Sequence, residues 1–204
     1  MYIPKSFENS KVSDLHDLIE QYNFGTLIVI NKNEVEVSHI PVMLDRTKGE
    51  HGLLYWHLAK QNKQSILLNG INSVLFIFHG PHSYISPAWY KTSPSVPTWN
   101  YAVVHARGIP KKISSSQLSD DLDKFVNHHE SLLNTNKEYL IPENYKMKLI
   151  EHIDGFHMEI TKLEGKFKLG QNRTPQDQQS MLAELSMQNN YSALELAKFI
   201  QGLT

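Results

Sequence analysis

The apolar positions of this chain follow two periods, and the switches between them mark the elements. Leu15, Leu18, Ile19 and Tyr22 fall on one face of a helix that Ser13 is placed to cap. Asn23-Phe24-Gly25 ends it. Thr26–Ile30 and Val35–Leu44 are β-branched runs joined by the polar, turn-prone Asn31-Lys32-Asn33-Glu34, which predicts a hairpin. In the second run the apolar positions change face near Pro41, which cannot donate to a ladder and so marks an edge or a bulge. Leu53–Leu58 is a third strand, passing into a short polar helical segment, Ala59–Ile66. Val74–Phe78 and Tyr101–Gly108 are the fourth and fifth strands, and Lys111–Ile113 is a short sixth. Leu118, Leu122, Phe125 and Val126 predict a helix capped by Ser116 or Ser119. A polar stretch with Tyr139-Leu140-Ile141-Pro142 follows, then a short helix over Tyr145–Ile153. Gly155 breaks it, and His157–Leu163 alternates as a strand. Thr174-Pro175-Gln176-Asp177 opens a helix with an N-cap, a proline at its first position and an acid. Ser192 with Glu195 reads as a second capping box. The sum is an α+β chain with a barrel-like sheet and helices at its ends and in insertions.

One stretch does not fit an ordinary connection. About twenty residues link Val74–Phe78 to the apolar run Trp99–His105, and a connection that long is usually functional or disordered. It holds Pro81, Pro87, Pro94 and Pro97 with His82, Tyr84, Trp89 and Tyr90, and Trp99 and Tyr101 stand at its exit. Solvated links are rich in Gly, Ser, Asp and Asn instead. Prolines stiffen the backbone and aromatics offer flat, amphipathic surface. We expect a rigid aromatic ledge suited to a flat ligand or a partner subunit; aromatics that only cover the end of a barrel would give the same composition.

Composition narrows the class. The chain has 204 residues, 40% hydrophobic and 20% charged, with a net charge of −1. That predicts a sizeable core and gives no basic bias toward nucleic acid. There are no cysteines, which excludes disulfides, thiolate metal sites and cysteine nucleophiles. The start, MYIPKSFENS, has no apolar core of signal-peptide length, and no run approaches the roughly 18 apolar residues of a membrane span. The expectation is a soluble cytoplasmic protein with no membrane partner.

The eleven histidines are the first candidates for chemistry. No His-Glu-x-x-His pattern and no facial-triad spacing is present, so no metal site is expected. No nucleophile elbow, phosphate loop or dinucleotide glycine fingerprint is present either. A phosphate-bearing ligand would have to be held by side chains. His57, Lys60 and Asn62, where a strand passes into a helical turn, could converge with backbone amides on an anion; read alone, the segment is as readily a polar turn. Glu164–Arg173 packs three cations and two amides ahead of the helix start at Thr174, and read alone it is a solvated basic turn.

These residues together resemble a known family. Met1-Tyr2-Ile3-Pro4 with Phe7, Ser38-His39-Ile40-Pro41, and His57-Leu58-Ala59-Lys60 with Asn62 are the first pieces. Gly80-Pro81-His82 with Tyr84-Ile85-Ser86-Pro87 and Trp89-Tyr90 follow. Val96-Pro97-Thr98-Trp99-Asn100-Tyr101 with Val104-His105 and Gly108, then Lys166-Phe167-Lys168-Leu169 with Gln171-Asn172, complete the order. The chain resembles the PaiB-type FMN-binding negative transcriptional regulators, whose antiparallel split β-barrel is shared with pyridoxamine phosphate oxidases. The resemblance implies an FMN-binding domain over residues 1–170, with a helical insertion around 116–153 and a helical tail, 171–204, packed on the barrel. It implies a homodimer with FMN at the subunit interface. By position, His57, Lys60 and Asn62 would face the phosphate and Ser38 and His39 the flavin ring. Trp99, Asn100 and Tyr101 would line the ring or ribityl chain, and Lys168, Gln171 and Asn172 would close the pocket. The chain departs from the family with Trp56 for a glycine, Lys60 for an arginine, Lys63 for a proline and Gly170 for a serine. Three activities follow from the resemblance: a regulator acting on DNA or through a regulatory protein, a flavin-dependent oxidoreductase, and a haem-binding protein. His39, His82 and Tyr84 are polar groups near a possible substrate space, with no role fixed by spacing.

Overall fold

The structure is a computed structural model that describes residues 1–133 and 141–203. Within them the chain separates into two units, one of residues 1–22, 77–105 and 163–204 and the other of 23–76 and 106–162.

The second unit begins with the expected hairpin. Strands β2 (Phe24–Asn31) and β3 (Glu34–Pro41) pair antiparallel, with Thr26 opposite His39 and Leu27 opposite Ser38. Lys32 turns the chain at a left-handed φ of 54°. The run Val35–Leu44 is divided: β3 stops at Pro41, Val42 is buried, and β4 (Met43–Asp45) starts afresh. Pro41 has no N–H for a ladder, and the apolar face changes there as its neighbours require. Strand β4 joins β5 (Leu53–Ala59), β9 (Ile153–Glu159) and β8 (Lys111–Lys112) in a four-stranded antiparallel sheet of order β4-β5-β9-β8. Leu54, Trp56 and Leu58 point from β5 into the core, and Tyr55 and His57 point the other way, under Phe125. Phe125 belongs to α3 (Ser115–Leu132), which Ser114 caps in a reciprocal box with Gln117. The expected caps Ser116 and Ser119 lie inside the helix, because only Ser114 has a glutamine three residues on to return the bond. The expected segment Ala59–Ile66 is strand end and turn as far as Asn62, then α2 (Lys63–Leu67). Helix α4 (Glu143–Ile150) ends earlier than expected. Tyr139 and Leu140 lie outside the described residues.

The first unit holds α1 (Val12–Gln21), which buries Leu15, Leu18 and Ile19. Its cap position is Lys11, and Ser13 lies within the first turn. Helix α5 (Pro175–Ser186) starts at Thr174 as expected. Helix α6 (Tyr191–Gly202) is capped by Asn190, whose Oδ1 accepts the Ala193 N–H at 2.8 Å, rather than by Ser192. Phe199 of α6 packs edge-on against Phe167 and Tyr22. The expected strand His157–Leu163 is two strands: the chain turns at Ile160 and Thr161 between β9 and β10 (Lys162–Lys168). The short β1 (Glu8–Asn9) pairs with β10.

Strands β6 (Val74–Ile85) and β7 (Thr98–Gly108) run through both units and are longer than expected. The six-stranded sheet has the order β1-β10-β7-β6-β2-β3. Much of the aromatic ledge is therefore strand. Its alternation slips at Gly80 and Pro81, both buried, so His79 and His82 are both exposed. A Cβ at Gly80 would sit 3.0 Å from Leu18 Cδ1, which is why the strand carries glycine where α1 approaches it. The fold is α+β, as expected. Among the described residues no helix is long and apolar enough to cross a membrane, and no cluster of His, Cys, Asp or Glu is placed to hold a metal ion.

Candidate functional site

In the second unit the turn between β5 and α2 gathers several of the expected residues. Asn62 extends its backbone to cap α2: its Oδ1 accepts the Gln64 N–H at 2.9 Å. Its Nδ2 is then left to donate, and it reaches Ser38 Oγ on β3 at 3.0 Å. Ser38 and Asn62, 24 positions apart in sequence, are thus in direct contact. Because Ser38 Oγ accepts from Asn62, its own proton points elsewhere. Lys60 is exposed; its Nζ donates to the Glu151 carbonyl at 2.5 Å and its N–H to the His152 carbonyl at 3.0 Å. The ammonium keeps further protons for solvent or an anion. His39 is exposed, with Nδ1 3.1 Å from Thr26 Oγ1 across the hairpin. His57 lies on the face covered by α3, its ring edge-on to Phe125 at 6.0 Å. Burial lowers its pKa and holds the imidazole neutral at neutral pH.

Two consecutive buried residues that the sequence reading did not single out hold this turn. Gln64 is 1% exposed, and its Nε2 donates to the Glu36 carbonyl at 2.8 Å and the Leu27 carbonyl at 3.3 Å. Ser65 Oγ donates to Asp154 Oδ2 at 2.5 Å. Asp154 also pairs with Lys112 at 2.8 Å. Burial would raise the Asp154 pKa, but the bonds from Lys112 and Ser65 outweigh it and keep the carboxyl ionised. A glutamine and a serine inside a polar turn carry no signal in sequence; only the packing of α2 on the hairpin and on β9 makes them buried.

In the first unit Trp99 and Tyr101 stand on the outer face of β7. They line a groove of about 470 Å³ with His79, His82, His105 and Lys166. Trp99 is 55% exposed, edge-on to Tyr84 at 6.2 Å and tilted against His82 at 6.3 Å. Lys166 Nζ lies 5.4 Å from the Tyr101 ring centre and 5.6 Å from that of Tyr2, a cation bridging two aromatic faces. Asn100, between Trp99 and Tyr101, faces the opposite way by strand alternation. It is 1% exposed and its Nδ2 lies 3.2 Å from Met181 Sδ. Lys168 Nζ donates to Thr98 Oγ1. Gln171 closes its own turn, donating to the Phe167 carbonyl at 2.5 Å and accepting from the Leu169 N–H at 2.7 Å. Asn172 is exposed.

Two of the departures have a structural account. Trp56 is spent in the core, stacked on Phe156 at 5.8 Å and edge-on to Phe76 at 4.9 Å, on the face of β5 opposite His57. Gly170 has φ +90°, and a side chain there would be strained whatever the space.

Residues 1–162 match the family described as "Putative FMN-binding domain". Over 205 residues the chain is 28% identical to the Bacillus subtilis Protease synthase and sporulation protein PAI 2, covering 98% of this chain and 97% of that one. It is 35% identical over 161 residues to an uncharacterised Saccharomyces cerevisiae protein, covering 68% of this chain and 91% of that one. The flavocytochrome Anf3 of Azotobacter vinelandii superposes with a TM-score of 0.62 at 14% identity, covering 81% of this chain and 72% of that one; this likeness is one of fold. The fold is the split barrel of flavin-binding proteins, and the chain belongs to the FMN-binding family that matches residues 1–162, in which its full-length likeness is to PAI 2, a PaiB-type protein.

Proposed function

We propose that the chain binds FMN and acts as a PaiB-type negative regulator of transcription, with the flavin as a structural or sensory ligand. The observation that carries the reading is the contact of Ser38 with Asn62 beside Lys60. The donors there are a hydroxyl, a primary amide and an ammonium, the set that an anionic phosphate rewards. Their chemistry fits the phosphate end of FMN, so in this reading Ser38, which the resemblance sets along the flavin ring, serves the phosphate through its contact with Asn62 instead. Separately, Trp99 and Tyr101 present aromatic faces of the kind a flavin ring stacks on. In this reading residues 1–170 form the cofactor domain, 171–204 are a helical tail, and the working form is a homodimer. FMN, when bound, supplies reversible electron transfer at its ring; this chain's residues bind and orient it. The regulatory part of the reading is supported by the end-to-end likeness to PAI 2.

The test is an absorption spectrum of the purified protein after incubation with FMN and desalting. The expected result is retained flavin bands at about one FMN per chain, followed by retardation of a promoter fragment without nicotinamide oxidation. Steady oxidation of a nicotinamide by the yellow protein would replace the regulator with an oxidoreductase. A colourless protein would overturn the cofactor.

A further inference from the structure

We infer that Gln64 is a positioning residue for the phosphate-binding pair Ser38 and Asn62, an inference that rests on the FMN reading above. Helix α2 is five residues long. Five residues cannot hold a helix by their own hydrogen bonds, since nucleation is unfavourable and propagation has hardly begun. Something outside the helix must fix it. On one side Ser65 bonds Asp154 of β9; on the other, Gln64 bonds the β2–β3 hairpin. The two carbonyls that Gln64 takes are specific. Leu27 is the residue directly opposite Ser38 in the hairpin register, and Glu36 lies two residues before Ser38 on the same strand. Gln64 therefore grips the hairpin around Ser38 while its own N–H is held by Asn62 Oδ1. One side chain and one backbone amide of the same residue tie the two members of the pair to each other. Gln64 itself is buried and touches no ligand. Its Oε1 has no hydrogen-bond partner among the described residues, a cost that a residue needed only for packing would avoid if it were leucine or methionine.

The consequence is selective. Without the clamp, Asn62 and Ser38 lose their mutual register, and the ligand group they serve is the phosphate rather than the ring. Gln64→Met keeps length and removes the donor. Gln64→Glu, protonated in this buried place, keeps one donor and is the milder change. Both are measured by fluorescence titration with FMN and with riboflavin, which lacks the phosphate, beside thermal melts. The unaltered protein is expected to bind FMN tighter than riboflavin. Gln64→Met is expected to weaken FMN about tenfold, the loss of one well-placed hydrogen bond to a charged group, and to leave riboflavin unchanged. Gln64→Glu falls between. In an Asn62→Ala background the Gln64→Met change is expected to weaken FMN no further, because the register it sets between Asn62 and Ser38 is already lost. Equal loss of FMN and riboflavin, or full additivity with Asn62→Ala, would overturn the positioning role and leave the FMN site standing. If Gln64→Met does not fold, Gln64→Glu with unaltered FMN preference overturns it equally. An unaltered protein that shows no preference for FMN over riboflavin would instead remove the phosphate site itself, and the inference with it.

Discussion

Lys60 shows how much one side chain can decide. The resemblance sets this lysine against a family arginine, a planar fork that grips phosphate with two parallel bonds. The lysine is a point charge on a flexible stem, and in this structure it lies against the Glu151 carbonyl at 2.5 Å. It can swing to an anion at little cost, since the side chain is exposed. Lys60→Ala is expected to weaken FMN binding by about 1–3 kcal/mol, the usual loss of a charged hydrogen bond. Isothermal titration checks it, and unchanged affinity would take Lys60 out of the phosphate site. Trp56 is the opposite case. Its size suggests an obstacle when read against the family glycine, yet the pleat of β5 turns it into the core and away from His57.

At the scale of elements, the segment after β6 is held by one carboxylate. Asp177, in the first turn of α5, accepts the Lys91 N–H at 2.7 Å, the Thr92 N–H at 3.0 Å and the Thr92 hydroxyl at 2.5 Å. Arg173 stacks over Tyr90 at 4.2 Å beside it. These contacts tie the proline-rich stretch to the start of α5. The Thr92 hydroxyl first, and then the two backbone N–H groups, hold the Asp177 pKa below its ordinary value. A depressed folded-state pKa contributes stability that is present above the ordinary carboxylate pKa and is lost as pH falls through the folded value. Asp177→Asn should therefore lower the melting temperature at neutral pH, and lower it progressively less as pH falls below about 4. Thermal melts across that range check it; a constant difference at all pH values would show that the charge is not what holds the loop.

For the whole molecule, the surface argues for association. Trp99 and Tyr84 in the first unit, and Phe24, Ile30, Val35 and Val37 on the hairpin of the second, are large apolar side chains left exposed, and where such side chains form a contiguous patch it marks an interaction site. We expect a dimer by sedimentation velocity at micromolar concentration. A monomer there would count against a cofactor site shared between subunits.

Most elements and the fold class are readable from local pattern alone. The hairpin of β2 and β3, the α1 face of Leu15, Leu18 and Ile19, and the Thr174 start of α5 are local matters of period, turn chemistry and capping, and all are legible in a few consecutive residues. So were the family motifs that name a flavin-binding split barrel. Element ends were less legible: Ser114 and Asn190 cap where Ser116 or Ser119 and Ser192 were expected, because several serines and asparagines compete and the winner depends on neighbours three residues on. Which of the candidate residues meet depends on long-range packing. Strand alternation turns Asn100 inward to Met181 while Trp99 and Tyr101 face the groove, and α3 covers His57. The contact of Ser38 with Asn62, and the Gln64 clamp behind it, depend on packing a five-residue helix onto a hairpin distant in sequence. No local period encodes that, because the partner carbonyls belong to the backbone and carry no residue identity to read.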